Sequence, residues 1–280
     1  MKIFLINLDR RPDRLQFVAS QLNNLQLDFE RISAIDGEKI NIETLNDIKI
    51  NNNRHYIERS RLLSMGEIGC ALSHRLIWKR MLEQNLDYAL ILEDDVTIDA
   101  KLLDILTDKT IRNYDFINLS SNHPYNVNNN IAKSLVEKNI ISRPTLFSPN
   151  RKIWRKLEKN HAWLIIKLTQ LPNCNILCEC TNAPAMASGY IISKKAAKHF
   201  VEASNNLFYP IDNIWRYSTG YLKQAFSTNL LIVQTLDDTN IRNRIKQKLI
   251  FYRNIQHLFY KLAFNPRKFQ LIIMYKFSLI

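Results

Sequence analysis

ALILEDDV, residues 89–96, runs four apolar residues straight into Glu93, Asp94 and Asp95. A short uninterrupted apolar run reads as a strand covered on both faces, the pattern of a parallel sheet. Three adjacent carboxylates at its end repel one another, so a positive partner is expected there.

Working outward, Ser64 opens SMGEIGCALSHRLIWKRMLEQNL, which reads as a helix with Ile68, Ala71, Leu72, Leu76, Met81 and Leu82 available for its buried stripe. DAKLLDILTD (99–108) reads as a further helix, and YDFINLSS (114–121) as a strand. At the start, KIFLINL (2–8) is a strand and Pro12 suits a first helical turn, with Leu15, Val18, Leu22 and Leu25 behind it. DFERISAIDG (28–37) closes this β-α-β opening. Later, SGYIIS (188–193) and NLLIVQ (229–234) read as strands either side of the helix KKAAKHFVEA. The fold class is therefore α/β: a Rossmann-type, mostly parallel sheet with helices on both faces. Residues 122–182, with Pro124, Pro144, Pro149 and Pro172, break the rhythm and read as an insertion or subdomain beside the sheet. The expected division is a catalytic domain over 1–240 and a basic amphipathic tail over 241–280.

The chain has 280 residues and a net charge of +13. Nine cations and no acid follow Asp238, which leaves only +4 for residues 1–238. In the tail, Ile245, Leu249, Tyr252, Ile255, Phe259 and Leu262 recur at helical spacing among lysines and arginines, a pattern suited to an anionic membrane surface. With no secretory h-region behind Met1, the expected location is cytoplasmic, peripheral on the inner membrane. A nucleic-acid-binding protein is the competing class, but no RRM, KH, zinc-finger or helix-turn-helix signature occurs. A phosphoryl enzyme of the P-loop type lacks its GxxxxGK[ST] segment, leaving another metal-dependent nucleotide-sugar enzyme as the second alternative. Cys174, Cys178 and Cys180 match no standard zinc spacing, with His161 the nearest fourth ligand, and read as reduced core or loop thiols.

Ligands of open α/β sheets bind at the carboxyl ends of the strands. Alternation along an extended backbone places Glu93 and Asp95 on one face and Asp94 on the other, and two such carboxylates form a hard-oxygen site for Mg²⁺ or Mn²⁺. Asn7 through Arg14 end the first strand, where Arg10, Arg11 and Arg14 surround a helix start suited to phosphate; an ordinary basic turn paired with Asp9 and Asp13 is the alternative. Together these strand ends suggest a nucleoside diphosphate.

FLINLDRRPDR (4–14), GEIGCALSHRLIWKRM (66–81), YALILEDDV (88–96) and ASGYIISKKAAKHF (187–200), followed by PID (210–212), resemble glycosyltransferase family 25 in ordered blocks over about residues 1–238. The family includes bacterial lipopolysaccharide and lipooligosaccharide transferases and is related to collagen galactosyltransferase domains. The resemblance implies a GT-A-like fold, a UDP-sugar donor (galactose ahead of glucose), Mn²⁺ or Mg²⁺, inversion at the anomeric carbon and a lipid-linked oligosaccharide acceptor. By position, EDD corresponds to the DxD-like motif, with Asp95 the metal ligand and Glu93 facing the ribose or the metal shell; Glu in place of the first Asp is a departure. Inversion needs a carboxylate base. Asp212 is the first candidate, between Tyr209 and Trp215 as a sugar-stacking platform; a helix cap is its plain alternative. Glu67, Asp237 and Asp238 are the others, and Glu67 alternatively a donor contact. His74 reads as a donor-site contact or a satisfied core-edge histidine, with Ser73 and Ser64 weaker. Gly189 reads as a close backbone approach to the sugar or as a turn glycine.

Overall fold

The computed structural model describes residues 1–41, 45–52, 61–125, 127–158, 163–172 and 175–235. The tail 242–280, the 240/241 boundary, Asp237, Asp238, Cys174 and His161 lie outside the described residues.

Twelve strands are described: β1 Lys2–Asn7, β2 Glu30–Ser33, β3 Lys49–Ile50, β4 Tyr88–Glu93, β5 Val96–Ile98, β6 Phe116–Asn118, β7 Ile165–Gln170, β8 Ile176–Cys180, β9 Gly189–Ser193, β10 Asn206–Leu207, β11 Gln224–Ser227 and β12 Ile232–Gln234. The helices are α1 Pro12–Asn24, α2 Met65–Glu83, α3 Leu102–Thr107, α4 Asn129–Glu137, α5 Arg151–Trp154, α6 Lys194–Ala203 and α7 Ile214–Tyr217. Eight strands form the main sheet in the order β2-β1-β4-β9-β6-β11-β8-β7. β1 pairs in parallel with both β2 and β4, and β6 with β11. β9 runs antiparallel between β4 and β6, and β8 antiparallel between β11 and β7. The sheet is thus mixed, with the α/β class as expected and two strands reversed against the parallel expectation. An apolar run such as GYIIS specifies a buried strand but not its direction, which the connections decide.

The alternation of β1 and β4 distributes the core over both faces. Phe4, Ile6 and Ile91 meet Ile68, Ile77, Trp78 and Met81 of α2 and Phe200 of α6 on one face. Ile3, Leu5, Leu90 and Leu92 meet Val18 and Leu22 of α1 and Leu102 and Ile105 of α3 on the other. Each large side chain so buried contributes about 1.5–3 kcal/mol before ordering costs. Leu76, expected in the stripe of α2, is instead 43% exposed; Ile77 and Trp78 take the inward positions. Because α2 lies under the sheet and also meets α6, its buried side is wider than the single stripe read from spacing.

α2 starts on a capping box: Ser64 Oγ accepts from Glu67 N at 3.2 Å, and the Glu67 carboxylate accepts from Ser64 N at 3.0 Å. Its first turn packs against the chain after β2 at van der Waals limits. A Cβ on Gly69 would lie 2.6 Å from the Ile35 carbonyl oxygen, and one on Gly37 2.2 Å from that of Met65. These glycines hold α2 beside the end of β1.

Residues 165–180, expected beside the sheet, extend it as β7 and β8. Cys178 and Cys180, two residues apart, share one face of β8, and both thiols are buried in the core. β11, unread in the sequence because QAFS buries Gln224 and Ser227 as well as Ala225 and Phe226, fills the place expected for the last strand. β12 pairs instead with β5 in a separate ribbon directly after the three carboxylates.

Candidate active site

Side-chain alternation stops at Glu93, where β4 ends. Glu93 faces α2, where Oε1 lies 3.1 Å from His74 Nε2 and accepts from the Cys70 thiol at 3.6 Å. Asp94 and Asp95 both turn toward α1: Arg14 lies 3.4 Å from an Asp94 oxygen and 3.6 Å from an Asp95 oxygen. The expected sharing of one face by Glu93 and Asp95, with Asp94 opposed, is corrected accordingly. Arg14 reaches both aspartates because the chain bends out of the strand between them.

Each carboxylate is held differently. Asn7 Nδ2, at the end of β1, donates to Asp94 at 2.7 Å and to the Arg11 carbonyl at 2.8 Å, while its own oxygen accepts from Arg31. Burial pushes the Asp94 carboxyl up against the opposing pull of Asn7 and Arg14. Asp95 is held from the β12 side: Gln234 donates to Oδ2 at 3.0 Å, and Thr235 donates N–H and O–H to its carbonyl at 2.7 and 2.9 Å. Its Oδ1 is buried without a hydrogen-bond partner among the described residues. Burial, then the Glu93 charge, push Asp95 up to about 6. Burial, the largest single influence, pushes Glu93 up as well, but the contacts with His74, Cys70 and Ser188 together outweigh it and leave the group below the ordinary carboxylate value.

His74 is fully buried, with Nδ1 2.8 Å from the Tyr190 hydroxyl, which also accepts from Trp78 Nε1 at 3.0 Å. The direction of each His74 bond follows its tautomer, because the Tyr190 hydroxyl, which accepts from Trp78, has both a proton and a second lone pair to offer Nδ1. Both ring nitrogens are therefore occupied, and His74 supports Glu93 in this structure. Burial and the Glu93 charge push the Cys70 thiol well up, keeping it protonated. Cys70, His74 and Glu93 are the metal-compatible group of His, Cys, Asp and Glu side chains among the described residues.

Asp212 lies in a 3₁₀ turn, Ile211–Asn213, before α7. It caps neither element; Oδ1 accepts from Asn213 Nδ2 at 2.7 Å and Oδ2 from Met186 N at 3.4 Å. Burial raises its pKa, opposed by Arg216 and Met186 and reinforced by the charges of Glu93 and Glu67, which places it in the same electrostatic neighbourhood. Met186 itself has a φ of 85°, rare for a side-chain-bearing residue. Its carbonyl accepts from Asn118 Nδ2 at 2.9 Å, so the end of β6 fixes the turn that contacts Asp212. The expected platform of Tyr209 and Trp215 is corrected: both rings are buried, Tyr209 stacked on Tyr217 at 4.3 Å and Trp215 on Phe116 at 4.6 Å. Their large apolar faces are used in the core and are closed to a sugar.

Glu67 takes two hydrogen bonds of 2.6 Å from Arg61 in addition to its capping role. Burial, the largest single influence, pushes this carboxyl up, but Arg61 and the Ser64 hydrogen bonds together outweigh it and hold the group below its ordinary value. Such a carboxylate is a poor proton acceptor. Ser73 donates to the Gly69 carbonyl and accepts from Ile35 N, both at 2.8 Å. The space left by Gly189 is filled by Ile232, since a Cβ would lie 2.4 Å from its Cδ1. Packing, not approach to a sugar, accounts for that glycine. Arg10 is paired with Asp36 at 2.6 Å and Glu38 at 3.2 Å, and Arg11 with Asp13 at 2.8 Å. Asp9 pairs with Arg31.

Gln234, Thr235, Tyr190 and Arg61 complete the site without having been singled out in the sequence. The i, i+4 spacing of Cys70 and His74 and the Ser64-x-x-Glu67 capping box were the signals within reach; nothing local links Gln234 to Asp95 across 139 positions.

The model of glycosyltransferase family 25 (LPS biosynthesis protein) matches residues 1–215. The chain belongs to glycosyltransferase family 25. Its family 25 relatives include a glycosyltransferase 25 family member of Drosophila pseudoobscura pseudoobscura, 37% identical over 122 residues, 41% of this chain and 20% of that protein. Procollagen galactosyltransferase 1-B of Xenopus laevis is 35% identical over 121 residues, again 41% and 20%. Human procollagen galactosyltransferase 2 is 36% identical over 100 residues, 35% of this chain and 16% of its own. The similarity thus spans about a fifth of these relatives' length.

Proposed function

We propose that this family 25 protein transfers a hexose, galactose in preference to glucose, from a UDP-sugar to a hydroxyl of a lipid-linked oligosaccharide, with inversion and with a divalent cation. The carrying observation is the buried Asp95 Oδ1, without a hydrogen-bond partner among the described residues, beside Glu93 and Asp94, an acidic group with Arg14 as its neighbouring cation. Oxygen donors of this kind fit Mn²⁺ or Mg²⁺. Asp95 would hold the ion with support from Glu93, and when bound it supplies positive charge for a departing diphosphate.

The chain's own residues supply the rest. Arg14 adds a positive charge where the leaving group gains negative charge. Arg10 and Arg11 serve the donor by exchanging carboxylate partners for phosphate oxygens. His74 orients Glu93 and keeps it ionised. Asp212, with its pKa raised and no capping duty, is the proposed acceptor of the hydroxyl proton; Glu67 is set aside for this role because Arg61 holds its charge. The printed names of the procollagen galactosyltransferases favour galactose. The family's description as LPS biosynthesis protein, and the cationic tail, favour a lipid-linked acceptor at the cytoplasmic face of the inner membrane.

The test is turnover of UDP-galactose and UDP-glucose with Mn²⁺, with Mg²⁺ and with EDTA, in the unaltered chain and in Asp95→Asn. Cation-dependent release of UDP from UDP-galactose, lost in the variant, is expected. Equal turnover in EDTA would remove the cation, and equal turnover in the variant would remove Asp95.

A further inference from the structure

The junction of α2 and β4 gathers a thiol, an imidazole and a carboxylate. Cys70 and His74 are four positions apart on α2, so they share one face of the helix. That face meets the end of β4, where Glu93 closes the strand. Cys70 Sγ, His74 Nε2 and the Glu93 carboxylate all lie within 4.8 Å of one another. Two edges of this triangle are closer still: Glu93 Oε1 stands 3.1 Å from His74 Nε2 and 3.6 Å from Cys70 Sγ. A tetrahedral zinc ion, with bonds of about 2.0 Å to N and O and about 2.3 Å to S, has corresponding edges of about 3.3 and about 3.5 Å. The three donors therefore stand close to where one ion would hold them.

Each donor is fixed from behind. Gly69 packs against the Ile35 carbonyl and Ser73 Oγ accepts from Ile35 N at 2.8 Å, so residues flanking Cys70 anchor its turn of α2. Glu93 N donates to the Ser188 carbonyl at 3.0 Å, which holds the last residue of β4. Behind the imidazole, Nδ1 lies 2.8 Å from the Tyr190 hydroxyl, itself fixed by Trp78 Nε1 at 3.0 Å. A ligating histidine uses such a partner on its other nitrogen, which sets the ring plane and keeps the proton off the metal-binding atom. An ion at Nε2 selects the tautomer in which Nδ1 donates to Tyr190. The Glu93 side chain is 21% exposed and Cys70 is partly exposed, which gives an ion a way in. As a hydrogen-bond donor to Glu93 a thiol contributes little; as a thiolate ligand it decides which metal is bound.

We propose that Cys70 Sγ, His74 Nε2 and Glu93 Oε1 hold a thiophilic divalent cation, Zn²⁺, at a site distinct from the oxygen site of Asp95. The thiolate favours a soft ion over Mg²⁺ and Mn²⁺, which take oxygen donors. Binding breaks the Cys70 S–H bond, forms the S–Zn bond and releases the proton to solvent. Three protein donors leave the fourth tetrahedral position to water. The site does not rest on the transferase reading, because it is measured without donor or acceptor.

The experiment is titration of the full chain with Co²⁺, whose bonds to thiolate absorb in the near ultraviolet, followed by displacement with Zn²⁺. The unaltered protein, Cys70→Ser and Glu93→Gln are compared, with thermal melts to show that each variant is folded. The unaltered chain is expected to give a thiolate band that saturates at one Co²⁺, is bleached by Zn²⁺ and survives excess Mg²⁺. Cys70→Ser is expected to lose the band and to bind Zn²⁺ roughly 100-fold or more weakly. Glu93→Gln is expected to weaken Zn²⁺ comparably while keeping the band at high Co²⁺. Absence of the band in the unaltered chain would overturn the proposal whatever the variants do. A band retained in Cys70→Ser would also overturn it, by assigning the ion to Cys174, Cys178 and Cys180, as would unchanged Zn²⁺ affinity in Glu93→Gln.

Discussion

Replacing Asp95 by Asn should make the metal-free protein more stable while removing its function. In the folded chain burial and the Glu93 charge move this carboxyl from 3.8 to about 6. Two units at 1.36 kcal/mol each amount to about 3 kcal/mol. The sign follows from linkage: a raised carboxyl pKa means that the folded state binds the proton more tightly than the unfolded chain. Above about pH 6 the native protein therefore carries the full cost of an ionised Asp95. That cost disappears as pH falls from about 6 to about 4, where the group becomes protonated in both states. Asn accepts from Gln234 and has no charge to oppose Glu93. In EDTA at pH 7.5, Asp95→Asn should unfold about 3 kcal/mol harder, a rise of roughly 6–12 °C in Tm for a domain of this size. The difference should close toward pH 4. Urea and thermal melts of both proteins across pH 4–8 measure this. A variant that is equally or less stable at pH 7.5, or an offset independent of pH, would refute the electrostatic account of the site.

Four further outcomes follow from the same geometry. Glu67→Gln should lower stability by roughly 2–4 kcal/mol in urea melts, since it leaves the Arg61 charge without its carboxylate and weakens the α2 cap; a pH–rate profile shifted with no stability loss would return Glu67 to the chemistry. Gly189→Ala should cost about 1–3 kcal/mol by overpacking against Ile232, and Ile232→Ala should offset part of it in a double-mutant cycle. Asp212→Asn should reduce kcat for sugar transfer by about 10²–10⁴-fold with little change in KM for the donor, read by steady-state kinetics. Cys178 and Cys180, buried with thiol pKa values pushed up, should resist DTNB at pH 8 in the native protein and react in denaturant.

How much of this was legible in the sequence depended on whether the information was local. KIFLINL and ALIL alternate against two cores, and Ser64-x-x-Glu67 announces its helix, so the first half of the sheet and α2 could be read directly. The reversal of β9 could not, because strand direction is fixed by the chain between residues 119 and 188. β8 and β11 were missed for a related reason: they bury Gln224, Ser227 and two cysteines where an apolar run would be the signal, and β7, at the sheet edge, buries only Ile165 and Leu168. At the site, the strand-end rule located the acidic group and its arginine. The turn of Asp95 to the side of Asp94, away from Glu93, depended on the bend after Glu93 and on Gln234, contributed by a ribbon remote in sequence. Tyr209 and Trp215 show the converse error. Aromatic residues flanking an acid suggest a sugar platform, but their area was more stabilising in the core.

The most direct test of the central claim is Mn²⁺ binding followed by the loss of the free-ion EPR signal, in the presence of UDP, for the unaltered chain and Asp95→Asn. The account predicts one UDP-dependent Mn²⁺ site that weakens by roughly 100-fold or more in the variant, the loss expected for a direct carboxylate ligand. Equal Mn²⁺ affinity in both proteins would contradict it.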